Sequence, residues 1–361
     1  MGCPSAHHPS KGGSAPPSLV LPPGDGSGSF VLLVFCLICI TLLPNLSQAQ
    51  LLTRFQFSEP HMGTLCRIIC YAADPGTAKQ ASKAAFARIA NLDDIMSDYS
   101  PTSELTRLNQ QSGGPSQKVS PDLFLVLSEA QQVSEMTDGA FDVTVGPVVK
   151  LWRRARRRRE LPDPARLAQA LSAVGFRKLQ LSAESQSVRL VEPGMALDLG
   201  GIAKGYAADE GLRVLRQSGL SRALVAAGGD IVVGGPPPGT EGWTIAVSPL
   251  EPSKSAMHLL LSEAAVSTSG DAEQFVEIGG KRYSHIVDPK TGIGLIGHRS
   301  VTVVAPKGII SDSLATALCV MGPARGLAIV DSLKERAALF VETTGDGVRT
   351  FRSKRWKESN N

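Results

Sequence analysis

Apolar residues recur along the chain with two periods, and the switches between them mark its elements. From Arg54 to Tyr71 the alternation is strand-like on both sides of Met62-Gly63-Thr64, a turn by composition. Ala85, Ile89, Leu92 and Met96 then repeat at helical spacing behind Asp74-Pro75-Gly76, so a helix is predicted over Gly76–Met96. Ser103 opens a short helix carrying Leu105 and Leu108, and Gln111–Gln117 is a polar loop. Ser120-Pro121, a capping hydroxyl and a first-turn proline, starts a further helix with Leu123, Val126, Leu127, Ala130 and Val133 that stops at Asp138-Gly139. Asp163-Pro164 caps another, with Leu167, Ala170, Leu171 and Val174, ending at Gly175. Leu179–Arg189 reads as a hairpin.

The pattern is organised around Met195–Asp209, M-A-L-D-L-G-G-I-A-K-G-Y-A-A-D. An apolar run ends in Asp198, drops into Gly200-Gly201 and continues as a helix to Gly219. Paired glycines permit positive φ and close approach of the backbone to a ligand. A helix start presents unpaired N–H groups and a positive dipole end, with Lys204 as an added cation, so the turn suits an anion. Downstream, Ala223–Val233 reads as one strand interrupted at Gly228-Gly229-Asp230, by a bulge or by a ligand approaching closely. Trp243–Val247, Met257–Leu261, Phe275–Ile278, Arg282–Val287 and Val301–Val304 are short strands. Ser311 starts a helix to Gly322, Pro323 starts another to about Arg336, and Ala337–Glu342 pairs with Val348–Phe351 across Asp346-Gly347. Strands and helices interleave without regular βαβ alternation, which predicts an α+β fold of largely antiparallel sheet in two packed lobes.

Composition changes this picture at the N-terminus. The 361 residues are 42% hydrophobic and 19% charged, ordinary globular values. Residues 1–29 are instead rich in Gly, Pro and Ser. Phe30–Leu43 is a 14-residue stretch of apolar residues and Thr, short for a membrane span, and Ser47-Gln48-Ala49 is a small-x-small cleavage site. Residues 1–49 therefore read as a signal peptide and 50–361 as the exported domain, with an uncleaved anchor as the other reading. Of six cysteines, Cys66, Cys70 and Cys319 lie beyond residue 49, and they read as buried small hydrophobes. The net charge of +4 owes much to Arg153, Arg154, Arg156, Arg157, Arg158 and Arg159. With no aromatic platform or finger motif beside it, that run is not a nucleic-acid signature. It reads as a solvated loop, or as a contact for anionic lipid or a partner.

Three further stretches could carry chemistry. Asp312 and Thr316, in S-D-S-L-A-T-A-L, stand at i and i+4 of a helix and so share a face. A carboxylate and a hydroxyl are hard ligands suited to Mg²⁺, and they are equally an Asp near a helix start with a back-bonding Thr. His285 precedes the turn Asp288-Pro289-Lys290-Thr291-Gly292 and could accept a proton near neutral pH, or be structural. Ala265–Asp271 reads as a hydroxyl-rich loop able to donate to phosphate or ribose. No G-x-S-x-G, H-E-x-x-H, Walker or G-x-G-x-x-G pattern occurs, which removes the commonest hydrolase, zincin and nucleotide-fold classes.

In order, the chain carries M-G-T, M-S-x-Y-x-P-x-S-E, G-A-F-D-V-T-V-G-P, L-D-L-G-G-I-A-K-G-Y-A-A-D, G-G-D, S-T-S-G-D, S-H-I-V-D-P-x-T-G and S-D-x-L-A-T-A-L. Together, from Met62 to Gly322, these resemble the ApbE-type FAD:protein FMN transferases. The resemblance implies an exported, Mg²⁺-dependent enzyme with an FAD cleft between its lobes. Such an enzyme splits FAD and joins FMN through a phosphoester to a Thr or Ser of an acceptor flavoprotein, releasing AMP. By the same resemblance, Met62 contacts the flavin and Tyr99 stacks on FAD. Ala140, Phe141 and Asp142 line the cofactor, Asp198 contacts the adenosine side, Lys204 lies near the phosphates, and Ser269 and Asp271 belong to the binding loop. Asp312, Thr316 and the carbonyl of Gly201 match the metal ligands. His285 is the candidate base for the acceptor hydroxyl, with Asp271 and Asp288 as alternatives. Two other activities use the same site: an FAD pyrophosphatase with water as acceptor, and a flavin-binding protein without turnover. The resemblance also implies a periplasmic location, free or associated with the membrane surface, and the arginine run belongs to none of the motifs.

Overall fold

Four of the predicted helix starts are built as their sequence suggests. In the computed structural model, which describes residues 51–358 apart from 248–249, 251–255, 272–273 and 346, Asp74 caps the first helix by accepting from Thr77 N. Ser103, Ser120 and Asp163 cap the next helices in the same way, accepting from Thr106, Leu123 and Arg166. The expected signal peptide, residues 1–49, lies outside the described residues.

In chain order the elements are β1 (Thr53–His61), β2 (Thr64–Ala72), α1 (Pro75–Met96), α2 (Glu104–Asn109), β3 (Gln117–Lys118) and α3 (Pro121–Met136). Next come α4 (Gly146–Arg158), α5 (Pro164–Ser172), β4 (Leu179–Ser182), β5 (Ser187–Leu190) and α6 (Ala203–Gln217). Then follow β6 (Ala223–Ala227), β7 (Asp230–Val233), β8 (Trp243–Val247), β9 (Met257–Leu261), β10 (Ala264–Gly270), β11 (Phe275–Ile278) and β12 (Lys281–Val287). The last are β13 (Gly294–Ile296), β14 (His298–Ala305), α7 (Gly308–Ser332), β15 (Ala337–Thr344) and β16 (Gly347–Arg352).

Eight strands form one antiparallel sheet in the order β1-β2-β6-β7-β10-β14-β15-β16. Its faces follow from the period of two. Cys66, Ile68 and Cys70 of β2, with Val225 of β6 and Val301 and Val303 of β14, point into a core shared with α1, α6 and α7. Leu224, Val233, Val266 and Leu339 point the other way, onto Trp243, Ile245 and Leu259 of the β8–β9 hairpin. A third cluster forms where Val148, Trp152 and Ala155 of α4 pack on Val276, Tyr283 and Val287 of the small β11-β12-β13 sheet. The α+β class with largely antiparallel sheet is as predicted, and residues 51–361 cluster as one unit.

Four local expectations change. Ala223–Val233 is not one interrupted strand but a hairpin, with Ala227 paired to Asp230 across Gly228-Gly229 and Gly228 at φ 66°. The hydroxyl-rich stretch at 264–270 is a central strand rather than a loop. Its hydroxyls bond the neighbouring strand β14 and the helix behind the sheet, as in Thr268–Thr302 at 2.9 Å and Ser267–Ser311 at 2.8 Å. The arginine run lies on α4, because Val148, Trp152 and Ala155 supply an apolar stripe that buries the helix. Finally, α7 begins at Gly308 and continues past Pro323 to Ser332, with its break at Gly322 (φ 73°, ψ 172°).

The first turn of α7 has no capping side chain of its own. Asp209, from α6, takes that role: its carboxylate accepts from Gly308 N at 2.7 Å and Ile309 N at 3.0 Å. Asp209→Ala should therefore destabilise the protein by about 1–2 kcal/mol, the worth of a lost cap, read as a lower midpoint in denaturant. Asp209→Asn, whose amide oxygen still accepts, should recover part of it.

Candidate active site

The site forms where α6 and α7 touch backbone to backbone. A Cβ added to Gly205 would fall 2.1 Å from Gly308 O, and one on Gly308 would fall 2.4 Å from Gly205 O, so only glycines permit this crossing. The contact carries Asp312 to the start of α6, where its Oδ2 accepts from Gly205 N at 3.0 Å. A free N–H at that helix start, read from the sequence as an anion site, is thus taken by a carboxylate of the protein itself. Gly200 and Gly201 are not in the left-handed region. What demands glycine at 201 is proximity: a Cβ there would lie 2.9 Å from Thr316 Oγ1.

Asp312, Thr316, Gly201 and Lys204, scattered over more than a hundred residues of sequence, therefore meet. Ser269 joins them, with its hydroxyl 3.3 Å from that of Thr316. Lys204 Nζ bonds Asp230 Oδ2 at 2.5 Å and stands 3.9 Å from Asp312 Oδ2. Asp230 belongs to the G-G-D motif, but its role had no sequence signal beyond that, since its partner lies on another element. Burial, then the charge of Asp230, hold the Asp312 carboxyl above the usual carboxylate range, against the pull of Lys204 and the Gly205 N–H. Burial would lower Lys204, but Asp312 and Asp230 outweigh it and raise its pKa. Two buried carboxylates share one ammonium, an excess of negative charge that a divalent cation would offset.

The residues present fit such a cation. Asp312, the Thr316 hydroxyl and the Gly201 carbonyl are all oxygen donors, as Mg²⁺ prefers. Among the described residues no three of His, Cys, Asp and Glu cluster as a metal site. Gly201→Ala crowds Thr316 by the distance given above. It should raise the Mg²⁺ concentration needed for half-maximal thermal stabilisation by about tenfold, the scale of a disturbed ligand shell.

A second group lies along α4. Arg153 donates to Asp98 and, at 2.8 Å, to Asp198 Oδ2, and its guanidinium lies 4.5 Å from the centroid of the exposed Tyr99 ring. Asp198 in turn accepts from Gly200 N at 2.9 Å. One arginine thus ties the Tyr99 loop to the glycine turn, which the sequence reading of a solvated run missed. Burial first and Asp98 second raise the Asp198 carboxyl, with Arg153 opposing. Asp198 N also donates to Val143 O at 2.8 Å, so the G-A-F-D-V-T segment runs beside the turn. Within that segment Ala140 and Phe141 are buried, and Asp142 is occupied by its own chain: it accepts from Thr144 N, Thr144 Oγ1 and Phe176 N.

Met62 sits at the β1–β2 turn with φ 50°, its N–H donating to Asp93 Oδ2 at 2.8 Å. Asp271 is fully buried, ion-paired to Arg282 at 2.5 Å and accepting from Arg299 N at 2.8 Å. Asp288 Oδ1 accepts from Lys290 N within its turn. Both alternative bases are therefore engaged by the fold. His285, on β12, has Nδ1 3.2 Å from Gln274 O. A carbonyl only accepts, so Nδ1 carries the proton and Nε2 keeps its lone pair. Burial lowers the His285 pKa to about 4, with the Gln274 bond opposing and Arg156 and Lys204 adding to the fall. The imidazole is neutral at pH 7.

Comparison with known proteins places this arrangement in a class. The fold is similar to the flavin transferase ApbE from Vibrio cholerae, with a TM-score of 0.75 and 31% identity over 84% of this chain and 98% of that one. It is equally similar to the flavinyl transferase ApbE of Pseudomonas stutzeri, at a TM-score of 0.75 and 29% identity over 84% and 95% of the two chains. A Treponema pallidum protein named FAD:protein FMN transferase is 33% identical over 79% of this chain and 83% of its own length. A Haemophilus influenzae protein of the same name is 32% identical over 90% and 97%. Residues 62–340 match the ApbE family, and the chain belongs to it.

Proposed function

We propose that this protein transfers FMN from FAD to a Thr or Ser hydroxyl of an acceptor flavoprotein, with AMP as the leaving product, and that Mg²⁺ assists. The observation that carries this reading is the meeting of the Asp312–Thr316 face with Gly201 and Lys204 in a chain of this family. The acceptor oxygen forms a bond to the FMN phosphorus while the bond from that phosphorus to the bridging oxygen of the diphosphate breaks. His285 Nε2 takes the hydroxyl proton, and the electron pair of the broken bond leaves on AMP. Lys204 offsets charge on the diphosphate oxygens, and Arg153 keeps Tyr99 and the glycine turn in register. A cation held by Asp312, Thr316 and Gly201 O would supply Lewis-acid stabilisation of the diphosphate.

The test is incubation with FAD, Mg²⁺ and a candidate Thr-bearing acceptor, followed by mass spectrometry. An FMN adduct on the acceptor, lost on chelation, is the expected result. Free FMN and AMP without an adduct would instead assign an FAD pyrophosphatase. FAD bound and unconsumed would assign a flavin-binding protein.

Export through residues 1–49 is part of the same proposal, placing the enzyme in the periplasm or at the membrane surface. Arg154, Arg157, Arg158 and Arg159 are exposed on or just after α4 and offer charge for an anionic surface. Fractionation of cells expressing the chain with and without residues 1–49 tests it. A cytoplasmic full-length protein would refute export.

A further inference from the structure

Arg156 is the member of the arginine run whose Nε is enclosed and, among the described residues, left without a partner. Trp152 Nε1 donates to Ser284 O at 2.9 Å, which fixes α4 against β12 one residue before His285. Arg156 is one turn along from Trp152 and three residues from Arg153, so it lies on the side of α4 that faces the site. The fork of Arg153 is filled by Asp98 and Asp198, Lys204 is held by Asp230, and Arg282 by Asp271. Among the described residues Arg156 has no such carboxylate, and its Nε is shut off from solvent with no hydrogen-bond acceptor. Burial lowers its pKa, Tyr99 opposing and Arg153 adding to the fall, and its charge in turn depresses His285. Its charge therefore acts on both the Tyr99 rim and the candidate base.

A half-buried guanidinium without an anion is costly to keep, and its planar fork matches a phosphate better than any neutral group. We propose that Arg156 binds a phosphate of the FAD diphosphate, a cation that this chain supplies from the arginine run in addition to Lys204. This rests on the reading of FAD as substrate. A carboxylate on the acceptor protein is the competing anion, and the test separates the two.

Dissociation constants for FAD, FMN and riboflavin are measured by flavin fluorescence with the divalent cation chelated, so that nothing turns over. Arg156→Ala is expected to weaken FAD and FMN binding by about tenfold, the effect of one lost charged hydrogen bond, and to leave riboflavin, which has no phosphate, unchanged. Arg156→Lys should restore part of the loss and confirms that the variants fold. Equal weakening for riboflavin would assign Arg156 to packing and overturn the proposal. Unchanged FAD affinity would overturn it too, and a raised KM for the acceptor alone would then assign the guanidinium to an acceptor carboxylate. Wild-type adduct formation is scored separately, so a failure of the transferase reading is distinguishable from a failure at Arg156.

Discussion

Asp312→Ala is expected to yield a folded protein whose FMN transfer falls by about 10²–10³-fold, the range measured when one preorganised electrostatic group is deleted. Asp312 is buried, bonded to Gly205 N and placed 3.9 Å from Lys204, so under the proposed function it would act on the reacting phosphates through a cation held there. Its removal leaves the Gly205 N–H without a partner, which costs about 1–3 kcal/mol, and relieves the like-charge contact with Asp230, which offsets part of that cost. Folding should thus survive while function does not. Acceptor labelling is read by in-gel flavin fluorescence, and the thermal shift on adding Mg²⁺ is read beside it. The variant should show neither. Wild-type labelling by Asp312→Ala would sink the metal assignment outright.

His285→Asn should lower the rate of transfer by about 10²–10³-fold with little change in FAD affinity, because the amide can still donate to Gln274 O but offers no lone pair at the Nε2 position. The pH profile carries the sharper statement. A histidine whose pKa lies at about 4 is deprotonated, and able to accept, above that pH. The acid limb of kcat/KM, which reports the free enzyme, should therefore fall near pH 4 rather than near 6.5. In the proposed complex FAD would bring negative charge beside the imidazole and counter Arg156 and Lys204, so the limb in kcat should lie at higher pH. A limb in kcat/KM at the ordinary histidine value, or none that disappears in His285→Asn, would remove His285 from the base role.

Much of this architecture was legible from local pattern. The cap at Asp74 and the spacing of Ala85, Ile89, Leu92 and Met96 define α1 without any tertiary information. The i, i+4 placement of Asp312 and Thr316 is likewise a property of one helix. What pattern could not give is pairing across the fold. Strand β10 was hidden because serine and threonine at 267–269 carry no apolar alternation, and their partners lie on α7 and β14. The inner arginines were hidden for the same reason: Asp98 and Asp198 lie 55 and 45 residues from Arg153. Asp230 was visible as part of a motif, yet its bond to Lys204 depends on a hairpin that reads from sequence as one strand interrupted by a bulge or by a ligand's approach.

Cys66, Cys70 and Cys319 are unpaired and wholly enclosed, and burial holds each thiol above its usual range, Cys66 at about 11 and Cys319 at about 12. A protonated sulfur inside the core offers alkylating reagents nothing to attack until the sheet separates from its helices. With Cys3, Cys36 and Cys39 changed to serine, the rate of thiol capture becomes a stopwatch for opening of the native state, and the slowing of that stopwatch by FAD weighs how firmly the ligand clamps the molecule shut.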